Sequence, residues 1–155
     1  MMNNKNLSNF GQELLKQGLL KLGFEQEICE SLCKKMDLYI KELMLYNSAY
    51  NLTNTSDYDE LVTRHILDSL SAFFIIKDIL QKIFFATNEE VTIADMGSGG
   101  GLPGIPLAAA FLLEESLPAK RVNFHLVERM EKRCAFLENC VALLGLKNVE
   151  VLNSE

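Results

Sequence analysis

Val91 to Ala109 reads VTIADMGSGGGLPGIPLAA: a short apolar strand ends on an acid, opens into a glycine loop and closes where a helix begins. Asp95, Gly97, Gly99 and Gly101 stand in the spacing D-x-G-x-G-x-G, and Pro106 falls where a first helical turn tolerates a missing N–H. This layout predicts a small-molecule cofactor site at the mouth of a parallel sheet. Glycines at alternate positions admit backbone conformations closed to residues with a Cβ, and they clear side chains from the surface on which a ligand would lie. The Asp95 carboxylate would meet a cationic or hydroxyl-bearing part of that ligand, and the helix beyond the loop would turn free N–H groups toward a carboxylate. S-adenosylmethionine carries an ammonium, a ribose and a carboxylate. Gly99, Gly101 and Gly104 also satisfy G-x-G-x-x-G, so a dinucleotide stays open on the glycines alone.

The next acid at a strand end bears on that choice. Arg121 to Glu128, RVNFHLVE, alternates Val122, Phe124 and Leu126 with Asn123 and His125, the period of a half-buried strand closing on a carboxylate. Glu128 would then face ribose hydroxyls. A nicotinamide-binding unit places its ribose acid about 20 residues beyond the glycines, with which Glu128 is also compatible. Asp95 favours the methyl donor, because an anion just before the loop suits a sulfonium amino acid better than a pyrophosphate.

Working outward, apolar residues recur at helical spacing from about Leu7 to Leu22 and from about Glu25 to Tyr46, interrupted at Gly23. Leu32, Met36, Tyr39, Leu43 and Tyr46 form one core-facing stripe. NSAYNLTNTSDYDE breaks the pattern, and Asp57 to Glu60 resembles a capping box opening a helix that carries Leu61, Arg64, His65 and Asp68. A further helix runs from Phe73 to about Phe85. Beyond the loop, Met130, Cys134, Leu137, Val141 and Leu144 make the buried face of a helix stopping at Gly145, and Val149 to Leu152 begins a third strand. Strand, helix, strand, helix, strand predicts right-handed crossovers and a parallel sheet. A doubly wound fold binds its ligand where strand order reverses, so the first strand needs a neighbour on its other side. None follows before Glu155. The expectation is the amino-terminal part of a longer protein with an exposed sheet edge, the alternative being a whole three-stranded domain.

At 155 residues with 48% apolar side chains the chain suits one domain with a real core. No apolar run reaches the roughly 18 residues that span a membrane, and the N-terminus has no secretory pattern, so the cytoplasm is expected. Cys29, Cys33, Cys134 and Cys140 show no C-x₂-C pairing and read as reduced packing residues, with no metal site. A net charge of −6 argues against a broad phosphate-gripping face. Lys120, Arg121, Arg129, Lys132 and Arg133 nevertheless cluster near Glu128 in sequence, as a solvated helix face or a phosphate contact.

Three stretches, YNSAYNLTN (Tyr46 to Asn54), RHILDSL (Arg64 to Leu70) and DMGSGGGLPGIPLA (Asp95 to Ala108), resemble the signature segments of the bacterial small-subunit rRNA guanine-N7 methyltransferases, the RsmG or GidB family. LVERMEKRCAFL (Leu126 to Leu137) resembles that family's second-strand motif. The resemblance covers about Met36 to the end, and the Leu102-Pro103-Gly104 after the glycines is considerably more specific than a generic methyltransferase loop. It implies an α/β chain with a class I S-adenosylmethionine-dependent methyltransferase fold: a helical N-terminal extension over 1–88 and the first half of a truncated Rossmann-like core over 89–155. It implies S-adenosylmethionine as donor, methylation of N7 of a guanine in 16S rRNA, and rRNA or the small ribosomal subunit as partner, with a monomer expected. By position, Gly97 and Leu102 match loop residues that hold the donor, Asp95 and Glu128 match the acids of the wider fold, and Lys132 and Arg133 match a Lys-Arg pair near substrate.

No catalytic residue is expected. Guanine N7 has a free lone pair and a sulfonium is a good leaving group, so transfer needs alignment and exclusion of water more than a base. His65, beside Arg64 and Asp68, reads as structural, and His125 as packed or surface-facing. A NAD-dependent oxidoreductase and a non-catalytic RNA- or ribosome-binding module are the competing classes.

Overall fold

Three strands carry the alternation read in the sequence. β1 (Val91–Met96), β2 (Val122–Glu128) and β3 (Val149–Asn153) pair in parallel in the order β1-β2-β3, with Asp95 opposite Leu126 and Glu128 opposite Asn153. The computed structural model describes residues 4–117 and 121–154, and the side chains from residue 10 onward within them. Lys120 and Glu155 lie outside the described residues.

One sheet face is built for burial. Val122, Phe124 and Leu126 are buried, and Val91, Ile93, Val149 and Val151 pack beside them. The linking helices α6 (Gly104–Leu113) and α7 (Glu131–Leu144) lie against β2 and β3, and α2 (Gln26–Tyr50) packs across both. On the other face Thr92, Ala94 and Met96 of β1 are exposed, and His125 meets Glu150 at 3.3 Å. β1 has no partner on its outer edge among the described residues, in keeping with the expected open edge.

α1 (Asn4–Leu22), α2 and α5 (Phe73–Ala86) follow the apolar periodicity, and the stripe from Leu32 to Leu43 is fully buried with Tyr46 packed against it. A single apolar cluster runs from Leu15 to Leu146, continuous across the connection at 87–90. α2 outruns its expected end at Tyr46 by one turn, through NSAY, and stops at Asn51, which takes φ 47°. The cause is Asn47. Its amide oxygen accepts from the N–H groups of Leu52 and Thr53 at 2.9 and 2.8 Å, and its NH₂ donates to Thr55 O and Ser56 Oγ at 3.0 and 2.9 Å. A residue type common in turns here stays helical and folds the following loop with its side chain.

The helix expected after Asp57 is three pieces: α3 (Tyr58–Leu61), a π-turn (Val62–Ile66) and α4 (Leu67–Ser71). Half of the capping box forms, Asp57 Oδ1 accepting from Glu60 N at 2.9 Å, while Glu60 reaches Arg64 at 3.8 Å instead of returning to Asp57. Met130 is the N-cap of α7 and is exposed, so it does not belong to the buried face; Phe136 and Cys140 do, with Cys134, Leu137 and Leu144. Gly145, at φ 63°, ends that helix in the left-handed conformation expected of a C-terminal glycine.

Candidate functional site

The glycine loop is tied at both ends by backbone. Gly97 N and Ser98 N donate to Val127 O at 2.8 and 3.0 Å, hooking the end of β1 onto the end of β2, and Gly101 N donates to Ser98 O at 2.7 Å. Gly97, Gly99 and Gly101 all take positive φ, +77°, +57° and +91°, which explains glycine at alternate positions. The three differ in what they face. A Cβ on Gly97 would meet nothing within 4 Å, and one on Gly99 only Gly97 O at 3.8 Å; one on Gly101 would strike Ile105 and Leu137. The first two border open space and the third borders the core. Leu102 is half-buried against that core.

Glu128 is 4% exposed, and its two oxygens accept from Gly99 N and Met130 N, each at 2.9 Å. Burial opposes its ionisation, but the N–H groups of Met130 and Gly99 and the nearby Arg133 guanidinium outweigh it and hold the carboxyl below its ordinary range. A carboxylate offers about four lone-pair sites, and with the Arg129 N–H also directed at it about one remains for a ligand hydroxyl. Asp95 accepts from Gly104 N through Oδ2 at 3.1 Å. For this acid burial prevails over the Gly104 N–H, and its pKa is raised.

One expectation is overturned here. Gly104 N is taken by Asp95, Ile105 N by Gly101 O at 2.8 Å and Leu107 N by Pro103 O at 3.2 Å, while Pro106 has no N–H. The first turn of α6 therefore has no free N–H for a ligand carboxylate, because Asp95 and the tightening of the loop use them all. Asp95 consequently serves the loop as a cap as well as presenting its charge.

Sequence reading missed the buttress behind the loop. Tyr39 of α2 donates its O–H to Gly100 O at 2.5 Å, and Gly100 packs against Leu43 and Leu52. Arg133, in the first turn of α7, donates from Nη2 to Asn51 O at 3.0 Å, linking α7 to the loop that Asn47 folds. Lys132 and Arg129 are exposed beside it. Arg121 leaves this group: it lies at the far end of β2 from Glu128, about 20 Å away at strand rise. There it binds Thr87 O and Glu89 O and lies over the Phe84 ring at 4.1 Å.

Other candidates stay apart from the loop. The four cysteines are free; burial pushes Cys33 up to about 11 and Cys140 to about 12, so the Cys33 and Cys140 thiols stay protonated at neutral pH. Among the described residues no group of His, Cys, Asp and Glu is arranged to hold a metal, and no helix is long and apolar enough to cross a membrane. His65 is in the π-turn, its Nε2 buried without a partner.

A parallel sheet with a glycine loop after an Asp-bearing first strand and an acid ending the second is the arrangement of Rossmann-like class I methyltransferases, here with a helical layer preceding it. The comparisons with known proteins name the family: residues 32–155 match the GidB model, rRNA small subunit methyltransferase G, and the chain belongs to that family. Among curated proteins it is 40% identical to ribosomal RNA small subunit methyltransferase G of Treponema denticola, covering 92% of this chain and 61% of that protein. The proteins of the same name from Treponema pallidum strain Nichols and Ectopseudomonas mendocina are 39% and 38% identical, each over 92% of this chain and 57% of theirs. The chain thus spans about three fifths of the length of these relatives.

Proposed function

We propose that the chain carries the donor site of an S-adenosylmethionine-dependent enzyme that methylates N7 of a guanine in 16S rRNA, acting as a monomer in the cytoplasm. The observation that carries this is the open space at Gly97 and Gly99, bounded by two acids, in a chain of the GidB family. In this reading Gly97 and Gly99 let the donor lie on the backbone, Glu128 takes a ribose hydroxyl on its remaining lone pair, and Asp95 faces the cationic part of the amino acid. Gly101 and Leu102 keep the loop in shape from its core side. The bound donor supplies a methyl group already activated on sulfonium. The protein's part is to align it with a nucleophile that needs no deprotonation. Residues 1–88 form the helical extension and 89–155 the donor-binding half of the core.

Lys132 and Arg133, with Arg129, are assigned to the RNA side. Basic groups in the first turn of a helix oppose its dipole, typically by about 0.3–1 kcal/mol each, so Lys132 is not placed for the stability of α7. Arg133 has one N–H on Asn51 O and a buried Nε without a partner. The test is methyl transfer from labelled S-adenosylmethionine by a chimera in which residues 1–155 replace the matching part of the Treponema denticola relative. Label at a guanine N7 of 16S rRNA is expected; a folded, donor-binding chimera that leaves the rRNA unlabelled would contradict the proposal.

A further inference from the structure

We propose that Tyr39 is a positioning residue for the donor, holding the glycine loop from behind; this rests on the methyl-donor reading of that loop. Tyr39 is fully buried in α2, and its hydroxyl reaches the Gly100 carbonyl 61 residues along the chain. The tip of the loop is gripped on two sides, by Glu128 at Gly99 N and by Tyr39 at Gly100 O. A third restraint is steric. Gly100 lies so close to the α2 layer that a Cβ would come within 3.2 Å of Leu43 and of Leu52 O, and Leu52 is itself held by Asn47.

A segment with positive φ at Gly97, Gly99 and Gly101 belongs to no helix or strand and has a large conformational freedom to lose. A ligand that binds only the held conformer has its affinity reduced by the fraction of time the conformer is populated. Tyr39 therefore acts on the donor through Gly100. Replacing it by Phe keeps the ring in its packing and removes only the hydroxyl, which leaves Gly100 O without this donor. The loop is then expected to spend about a tenth to a fifth of its time in the held form, giving roughly a five- to tenfold weaker donor affinity.

The experiment compares the parent chain with Tyr39→Phe and with Leu32→Ala, a cavity in the same helix away from the loop. Amide hydrogen exchange without ligand is measured alongside calorimetric binding of S-adenosylmethionine. Tyr39→Phe should bring exchange at Gly99 and Gly101 close to that of an unprotected loop while α2 amides keep their protection, and should weaken binding about five- to tenfold. Leu32→Ala should lower the melting temperature more and change the loop less. Unchanged loop exchange in folded Tyr39→Phe, or exchange that rises equally across the chain in both variants, would overturn the positioning role even if the parent binds the donor. A local rise in loop exchange with no donor binding by the parent would uphold the grip on the loop and overturn its role for the donor.

Discussion

Gly97→Ala is the substitution that separates ligand contact from folding at this loop. Gly97 sits at φ +77° with nothing within 4 Å of the Cβ position, so an added methyl group meets no protein atom there. The folded state loses only what a left-handed L-residue costs, about 1–2 kcal/mol. For a domain of this size that is about 2–8 °C in melting temperature. A ligand lying on the loop must withdraw, and a gap of about 0.5–1 Å already forfeits a quarter to a half of each dispersion contact. Adding the displaced polar contacts, donor affinity should fall at least about tenfold, or about 1.4 kcal/mol. Gly104→Ala is the control. Its Cβ would press on Leu126 and stand 2.7 Å from Asp95 Oδ2, so the cost falls on packing, about 1–3 kcal/mol, with binding affected only through Asp95. Thermal melts paired with calorimetric titration of S-adenosylmethionine read both effects. Parent-like affinity in folded Gly97→Ala, or losses of affinity and stability that scale together in both variants, would refute the assignment of open space to the donor.

Three further outcomes follow from the polar groups. Glu128 has a depressed pKa in the fold, so its stabilisation is present above the ordinary carboxyl value of about 4.3 and is lost as pH falls through the folded value. Glu128→Gln should therefore lower the urea midpoint at pH 7 and change it much less near pH 3; equal losses at both would contradict the assignment. Lys77 and Glu114 pair at 2.9 Å with Glu114 only 8% exposed, so Lys77→Met should cost about 1–3 kcal/mol at pH 7. Burial opposes the charge on Glu114, yet Ser116 and Lys77 hold its pKa down, so the loss should shrink as pH falls and Glu114 protonates; denaturation at pH 7 and pH 3 checks this. Asn47→Ala leaves the N–H groups of Leu52 and Thr53 without their acceptor and should cost about 1–3 kcal/mol in urea unfolding, with proteolytic sensitivity rising between 51 and 57; a change under about 0.5 kcal/mol would show the loop is held otherwise.

How far the chain could be read depended on the range of the interaction. Strand alternation in VNFHLVE, the stripe from Leu32 to Leu43 and the glycines with positive φ are imposed by the local backbone, so their periods and residue types declare them. The side-chain networks are not local. Tyr39 meets Gly100 across 61 residues and Arg133 meets Asn51 across 82, and nothing in either segment alone marks its partner. The α6 N-terminus departs from the sequence expectation because its N–H groups find partners distant from the helix pattern: Asp95 caps the first and the glycine turn takes the next. The basic residues adjacent in sequence separate in space, because Arg121 precedes β2 and Glu128 ends it, which sends Arg121 to the opposite end of the strand. The π-turn at Val62–Ile66 had no signal in residue type, since Thr63, Arg64 and His65 suit an ordinary helix.

Calorimetric titration of the folded 155-residue chain with S-adenosylmethionine, with NAD in parallel and circular dichroism to establish folding, addresses the donor site most directly. Saturable binding of S-adenosylmethionine with none of NAD is the predicted result. Preferential binding of NAD, or a folded chain that binds neither, would contradict the account.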